Sequence, residues 1–140
     1  MTLTLDQSEA AIDGALAKAA VDGLQPLTVA VLDAGGHMVA FKRQDESGIL
    51  RPEIAIGKAY GALGFGMGSR SLADKNPNFI AAVAAASHGR LVPVPGGVLI
   101  RDPNSNGIIG AMGISGDASG KDEGAAVAGI EKAGLIADQG

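Results

Sequence analysis

The stretch Leu27-Thr-Val-Ala-Val-Leu-Asp-Ala-Gly-Gly-His-Met-Val-Ala-Phe-Lys-Arg43 decides the fold. Its first six residues are apolar or β-branched and read as a strand over 27–32. Asp33-Ala-Gly-Gly36 is a turn of the kind that joins two neighbouring strands. His37 to Arg43 then alternates, with His37, Val39, Phe41 and Arg43 on one side by the period of two. An antiparallel hairpin follows, and the remaining elements arrange themselves around it.

Upstream, Asp6 and Glu9 have the spacing of a capping box, and Ile12, Ala15, Leu16, Ala19 and Ala20 share one helical face. A helix is predicted from Gln7 to Val21, stopped by Gly23. Downstream, Pro52 and Glu53 suit the first turn of a second helix running to about Leu63. Gly57 and Gly61 lie on one face of it. Each interior glycine costs roughly 1 kcal/mol relative to alanine, so that face implies a backbone or a ligand in close approach. Asn76-Pro77 starts a further helix that ends at His88-Gly89. Strands are predicted over 91–94, 98–101 and 108–114, separated by Pro95-Gly96-Gly97 and by the polar turn 102–107. Ser119 is the expected cap of a last helix from Gly120 to Ala133. The order α-β-β-α-α-β-β-β-α, with short connections, predicts one α+β domain over 1–140: a five-stranded antiparallel sheet flanked by helices.

Composition narrows the function. The chain has 140 residues, no cysteine and two histidines. It therefore needs no disulfide framework and carries neither a thiolate metal site nor a cysteine nucleophile. No metal site is predicted. A net charge of −4 without a basic run gives nucleic acid or an anionic membrane no electrostatic footing. No apolar stretch approaches the ~20 residues that span a bilayer, and the N-terminus lacks the pattern of a signal peptide. A cytoplasmic protein is predicted. With three Phe, one Tyr and no Trp, small side chains must let elements approach closely. Thin elements leave apolar surface over, which points to a homo-oligomer.

Four segments together resemble the GlcG/HbpS-like family, which includes haem-binding HbpS-type proteins and the C-terminal domain of PduO-type proteins. They are Val29 to Ala40, containing the DAGG turn; Ile54-Ala-Ile-Gly-Lys-Ala59; Pro95-Gly-Gly97; and Ile109-Gly-Ala-Met-Gly-Ile-Ser-Gly116 with Asp122-Glu123. Their order and spacing run from about Asp6 to Gly134. The resemblance implies a profilin-like fold, frequent homo-oligomerisation and, in some relatives, haem as cofactor. The Glu-x-x-Glu iron motif of HbpS-type proteins is absent, so iron storage and sensing are not carried over.

The ligand-binding candidates are Lys58, Arg43, Gly96 and Gly97. Lys58 sits among small apolar residues, where a lysine either clamps a carboxylate, takes a depressed pKa or snorkels to water. Arg43 offers a bidentate partner for a propionate or substrate carboxylate, against a surface ion pair with Asp45 and Glu46. Gly96 and Gly97 form a tight turn whose N–H groups suit an anion. His37 and His88 are the candidate axial ligands for haem iron. Asp122 and Glu123 read as structural, near the positive end of a helix. The expected role is binding of haem or a small anionic metabolite. The alternative is an enzyme that uses Lys58 for proton transfer, isomerisation or hydrolysis of an organic acid.

Overall fold

A computed structural model describes residues 2–140. Helix α1 (Leu5–Asp22) begins two residues earlier than predicted, because the capping box is built by Thr4 and Gln7 rather than by Asp6 and Glu9. Gly23, left-handed at φ 66°, ends it as expected. The hairpin follows as β1 (Thr28–Asp33) and β2 (Met38–Arg43), antiparallel, with a register shift between Val31 and Leu32. Helix α2 (Arg51–Phe65) leads through a 3-10 helix (Ser69–Asp74) to α3 (Pro77–Ala86). The chain closes with β3 (Gly97–Arg101), β4 (Ile108–Ser115), α4 (Ser119–Lys132) and β5 (Ile136–Asp138).

The five strands lie in the order β2-β1-β4-β3-β5, and every neighbouring pair is antiparallel. The fold class is the predicted one, but one strand is elsewhere. Residues 91–94 form no strand. They ride on the glycine face of α2, where the Val92 N–H donates to Gly57 O at 3.2 Å. A Cβ at Gly57 would meet Val92 Cγ2 at 2.6 Å, and one at Gly61 would meet Leu91 Cδ1 at 2.6 Å. The close backbone that the glycines implied is this segment. Its apolar residues have the composition of a strand, yet Leu91 is buried and Val92 half-buried against a helix instead. The fifth strand is β5, three residues too short to show a period, pinned to β3 by Arg101 Nε donating to Asp138 Oδ2 at 2.8 Å.

Helix α4 corrects a cap as well. Its N-cap is Ala118, with no side-chain cap bond, and Ser119 is already helical. Asp122, in the first turn, folds back to accept the N–H groups of Asp117 and Gly116. The helices divide between the two faces of the sheet. Helices α1 and α4 cover one face over a core that includes Ile12, Val29, Val31, Met112, Ile114 and Ile130. Helix α2 covers the other, over Leu32, Ala59, Ala62, Leu99 and Ala111. Gly14 and Gly129 bring α1 and α4 nearly backbone to backbone. Small residues do here what aromatic side chains do in most cores. Among the described residues, no helix is long and apolar enough to cross a membrane.

Candidate functional site

Lys58 lies in the middle of α2 with only 1% of its surface exposed. Its Nζ donates to Ile114 O at 2.8 Å, at the end of β4, and stands 3.3 Å from Asp122 Oδ2 in α4. Asp122 is fully buried. Burial pushes the Lys58 ammonium down and the Asp122 carboxyl up, and each is opposed by the charge of the other. The pair thus ties α2, β4 and α4 together at one end of the sheet.

Gly96 and Gly97 belong to the same place. A Cβ at Gly96 would lie 2.8 Å from Lys58 Nζ, and one at Gly97 would run into the carbonyl of Lys58. Gly96 also adopts φ 127°, which a side chain would strain. The Gly97 N–H donates to Ser69 Oγ at 2.8 Å, and Ser69 in turn donates to Val94 O. Next to Asp122, the Glu123 carboxylate is buried with Arg70 Nε 3.3 Å from Oε2, too poorly aligned for a hydrogen bond. Burial pushes the Glu123 carboxyl up, and Arg70 opposes it. The structure therefore brings Lys58, Gly96 and Gly97 together, with the lysine side chain filling the space that the glycines leave.

Arg43 stands apart from them, at the end of β2 near the sheet edge. Its Nε and Nη2 both donate to Ser47 O, at 3.1 and 2.6 Å, instead of pairing with Asp45 or Glu46. It borders an open hollow of about 500 Å3 shared with Leu24, Pro26, Gln44 and Asp45. Thr28, its cross-strand partner, bonds Ser47 Oγ, and Ser115 beyond it accepts from Arg51 Nη1.

The histidines are both exposed. His88 follows the end of α3 in a left-handed conformation, φ 58°. His37 is 81% exposed in its side chain, but its ring is held. Asp33 Oδ1 accepts the N–H groups of Gly35 and His37 and lies 3.1 Å from His37 Nδ1. The His37 N–H, most of all, holds the Asp33 carboxyl below its usual range. With Nδ1 engaged by a carboxylate, Nε2 is the nitrogen left to bind a metal, and such pairing fixes tautomer and ring orientation.

The ring folds over Gly35, where a Cβ would stand 2.9 Å from Cε1. On one side of this turn is a hollow of about 350 Å3 walled by Leu3, Ile108 and Ile109. On the other, Tyr60 packs against Gly36, and a smaller hollow of about 150 Å3 continues to Leu63 and Gly64. The imidazole lines the first of these hollows, and Asp33 fixes the orientation of its ring. Among the described residues, no three His, Cys, Asp or Glu side chains gather as a metal cage.

Sequence reasoning singled out His37 without Asp33, although their spacing of four across a tight turn carries that signal. The Lys58–Asp122 pair has no local signal, since 64 residues separate its members. Tyr60 and Arg51 were likewise missed, because nothing in a helical pattern marks what lies opposite.

Comparison with known proteins bears on the family and the fold. A family model described as haem degrading protein HbpS-like matches residues 3–131. Among solved structures, a PduOC–haem complex superposes with a TM-score of 0.86 at 21% identity, covering 96% of this chain and 97% of its own. A double mutant of HbpS from Streptomyces reticuli gives 0.77 at 26% identity, covering 94% and 86%. Protein ORFY of Klebsiella pneumoniae gives 0.82 at 22%, covering 94% and 90%. No curated protein of known function matches the chain.

Proposed function

This chain belongs to the haem degrading protein HbpS-like family, and on that basis we propose that it binds haem through His37. The observation that carries the reading is the Asp33–His37 pair, with Nδ1 3.1 Å from the carboxylate and the ring lining a hollow walled by Leu3, Ile108 and Ile109. Asp33 orients the imidazole and fixes the tautomer that it presents as a ligand. Leu3, Ile108 and Ile109 on one side of the turn, and Tyr60 and Leu63 on the other, offer apolar contact to a porphyrin. Haem itself supplies an iron that takes up small ligands or an electron. The PduOC neighbour was solved as a haem complex, and that supports the same choice of ligand here.

A haem is favoured over a small carboxylate clamped by Lys58, because that ammonium is enclosed and already opposite Asp122. The same enclosure argues against Lys58 as a base acting on substrate. We place the protein in the cytoplasm, as a homo-oligomer. Supporting the second point are Ile49 and Leu50, 87% and 67% exposed just before α2, with Met38 and Phe41 exposed on the edge strand β2.

The test is a haemin titration of the purified protein followed by its Soret band, with His37→Ala and His88→Ala alongside. The reading expects a saturable shift that His37→Ala abolishes and His88→Ala leaves intact. No saturable shift, or a loss only in His88→Ala, overturns it.

A further inference from the structure

Arg90 follows the end of α3 and sits over the Tyr60 ring, its guanidinium carbon 4.2 Å from the ring centroid. Its Nε donates to Ser87 O at 2.9 Å. Among the described residues, no other side-chain bond occupies it and no carboxylate pairs with it. Several other cations of the molecule are paired with carboxylates. Lys42 meets Asp13 and Glu9, Lys58 meets Asp122, Arg70 meets Glu123 and Arg101 meets Asp138.

The surface around Arg90 is a groove. The hollow that starts at the Gly35-Gly36 turn shares Tyr60 and Gly64 with a second one of about 100 Å3, walled by Phe65, Val83 and Leu91 and bordered by Arg90. Gly64 leaves its floor open, since a Cβ there would touch nothing. Tyr60 packs against Gly36, the residue before His37. The series therefore runs imidazole, glycine turn, phenol ring, guanidinium. An apolar groove with one unpaired guanidinium at its rim selects a flat apolar ligand that carries a carboxylate. A free Nη pair of fixed geometry is the donor set that a carboxylate takes in bidentate form.

We propose that Arg90, stacked on Tyr60, binds a haem propionate and so sets the direction in which the porphyrin lies across the His37 turn. The inference rests on haem as the ligand of His37, and it adds a second contact on a different element. Haemin dimethyl ester carries methyl esters where haemin carries ionised propionates, so comparing the two in the parent and in Arg90 variants reads this contact. In the parent, haemin binds about tenfold or more tighter than the ester, the scale of one charge-assisted contact. Arg90→Leu brings the two affinities together by weakening haemin, and Arg90→Lys keeps part of the difference.

Circular dichroism of each variant establishes that the helices remain. If the parent binds neither compound, the haem reading falls and this inference with it. If haemin binds in a His37-dependent way but acid and ester bind alike, the Arg90 assignment alone falls. The same holds if Arg90→Leu weakens both equally.

Discussion

At the scale of single residues, the best-defined charged contact is internal. Lys58 and Asp122 face each other with almost no solvent. Removing one partner of such a pair leaves a buried charge and typically costs about 3–5 kcal/mol. Asp122→Asn is expected to destabilise by that much in urea unfolding, and adding Lys58→Met to recover a good part of it, since a methionine fills the channel beside Gly96 without charge. A double variant no more stable than Asp122→Asn alone would contradict the pair as drawn. Glu123 gives a pH signature. Its folded pKa is raised above the ordinary 4.5 by burial, so the folded chain keeps a proton that the unfolded chain has released. The stability Glu123 contributes is complete below about 4.5 and is lost as pH rises through the raised folded value. The gain in Tm of Glu123→Gln over the parent is therefore larger at pH 7 than at pH 4; an equal or smaller gain at pH 7 would refute it. At this scale the sequence was legible where partners are close in the chain. His37 within its turn was readable, whereas the partner of Lys58 was not, because helical and strand periods describe a face and never what faces it.

At the scale of elements, glycine and alanine explain how thin layers still make a tight core. Helices α1 and α4 meet at Gly14 and Gly129, where a Cβ on Gly129 would run into the carbonyl of Ala11 and crowd Ala15. Gly129→Ala should cost about 1–3 kcal/mol by overpacking, although alanine is the better helix former by nearly 1 kcal/mol. An increase in Tm would show that the helices have room to part. The hairpin, α2, α3 and α4 were legible because turn glycines, helix-starting prolines and apolar periods are local, although the cap of α4 was not. The segment over 91–94 misled for a physical reason: β-branched apolar residues report burial, and here the burying surface is the glycine face of α2. Strand β5 was silent, since three residues carry no period and its place is secured by a cross-strand ion pair.

At the scale of the whole molecule, the composition already pointed to close packing and leftover apolar surface. The exposed Ile49 and Leu50 sit beside the N-terminus of α2. If they pack against a second copy, sedimentation of the parent gives an oligomer that Ile49→Ser/Leu50→Ser shifts to smaller species; a parent that sediments as a monomer contradicts the assembly. The fold carries its two histidines on the outside and its best-buried lysine inside, and that distribution separates a haem reading from one centred on Lys58. Whether His37 holds the iron is decided by chemical rescue. The absorption spectrum of haemin is recorded with His37→Gly, before and after imidazole is added. The variant is expected to lose the parent's Soret position, and imidazole to restore it. A variant whose spectrum equals the parent's without imidazole would contradict His37 as the ligand.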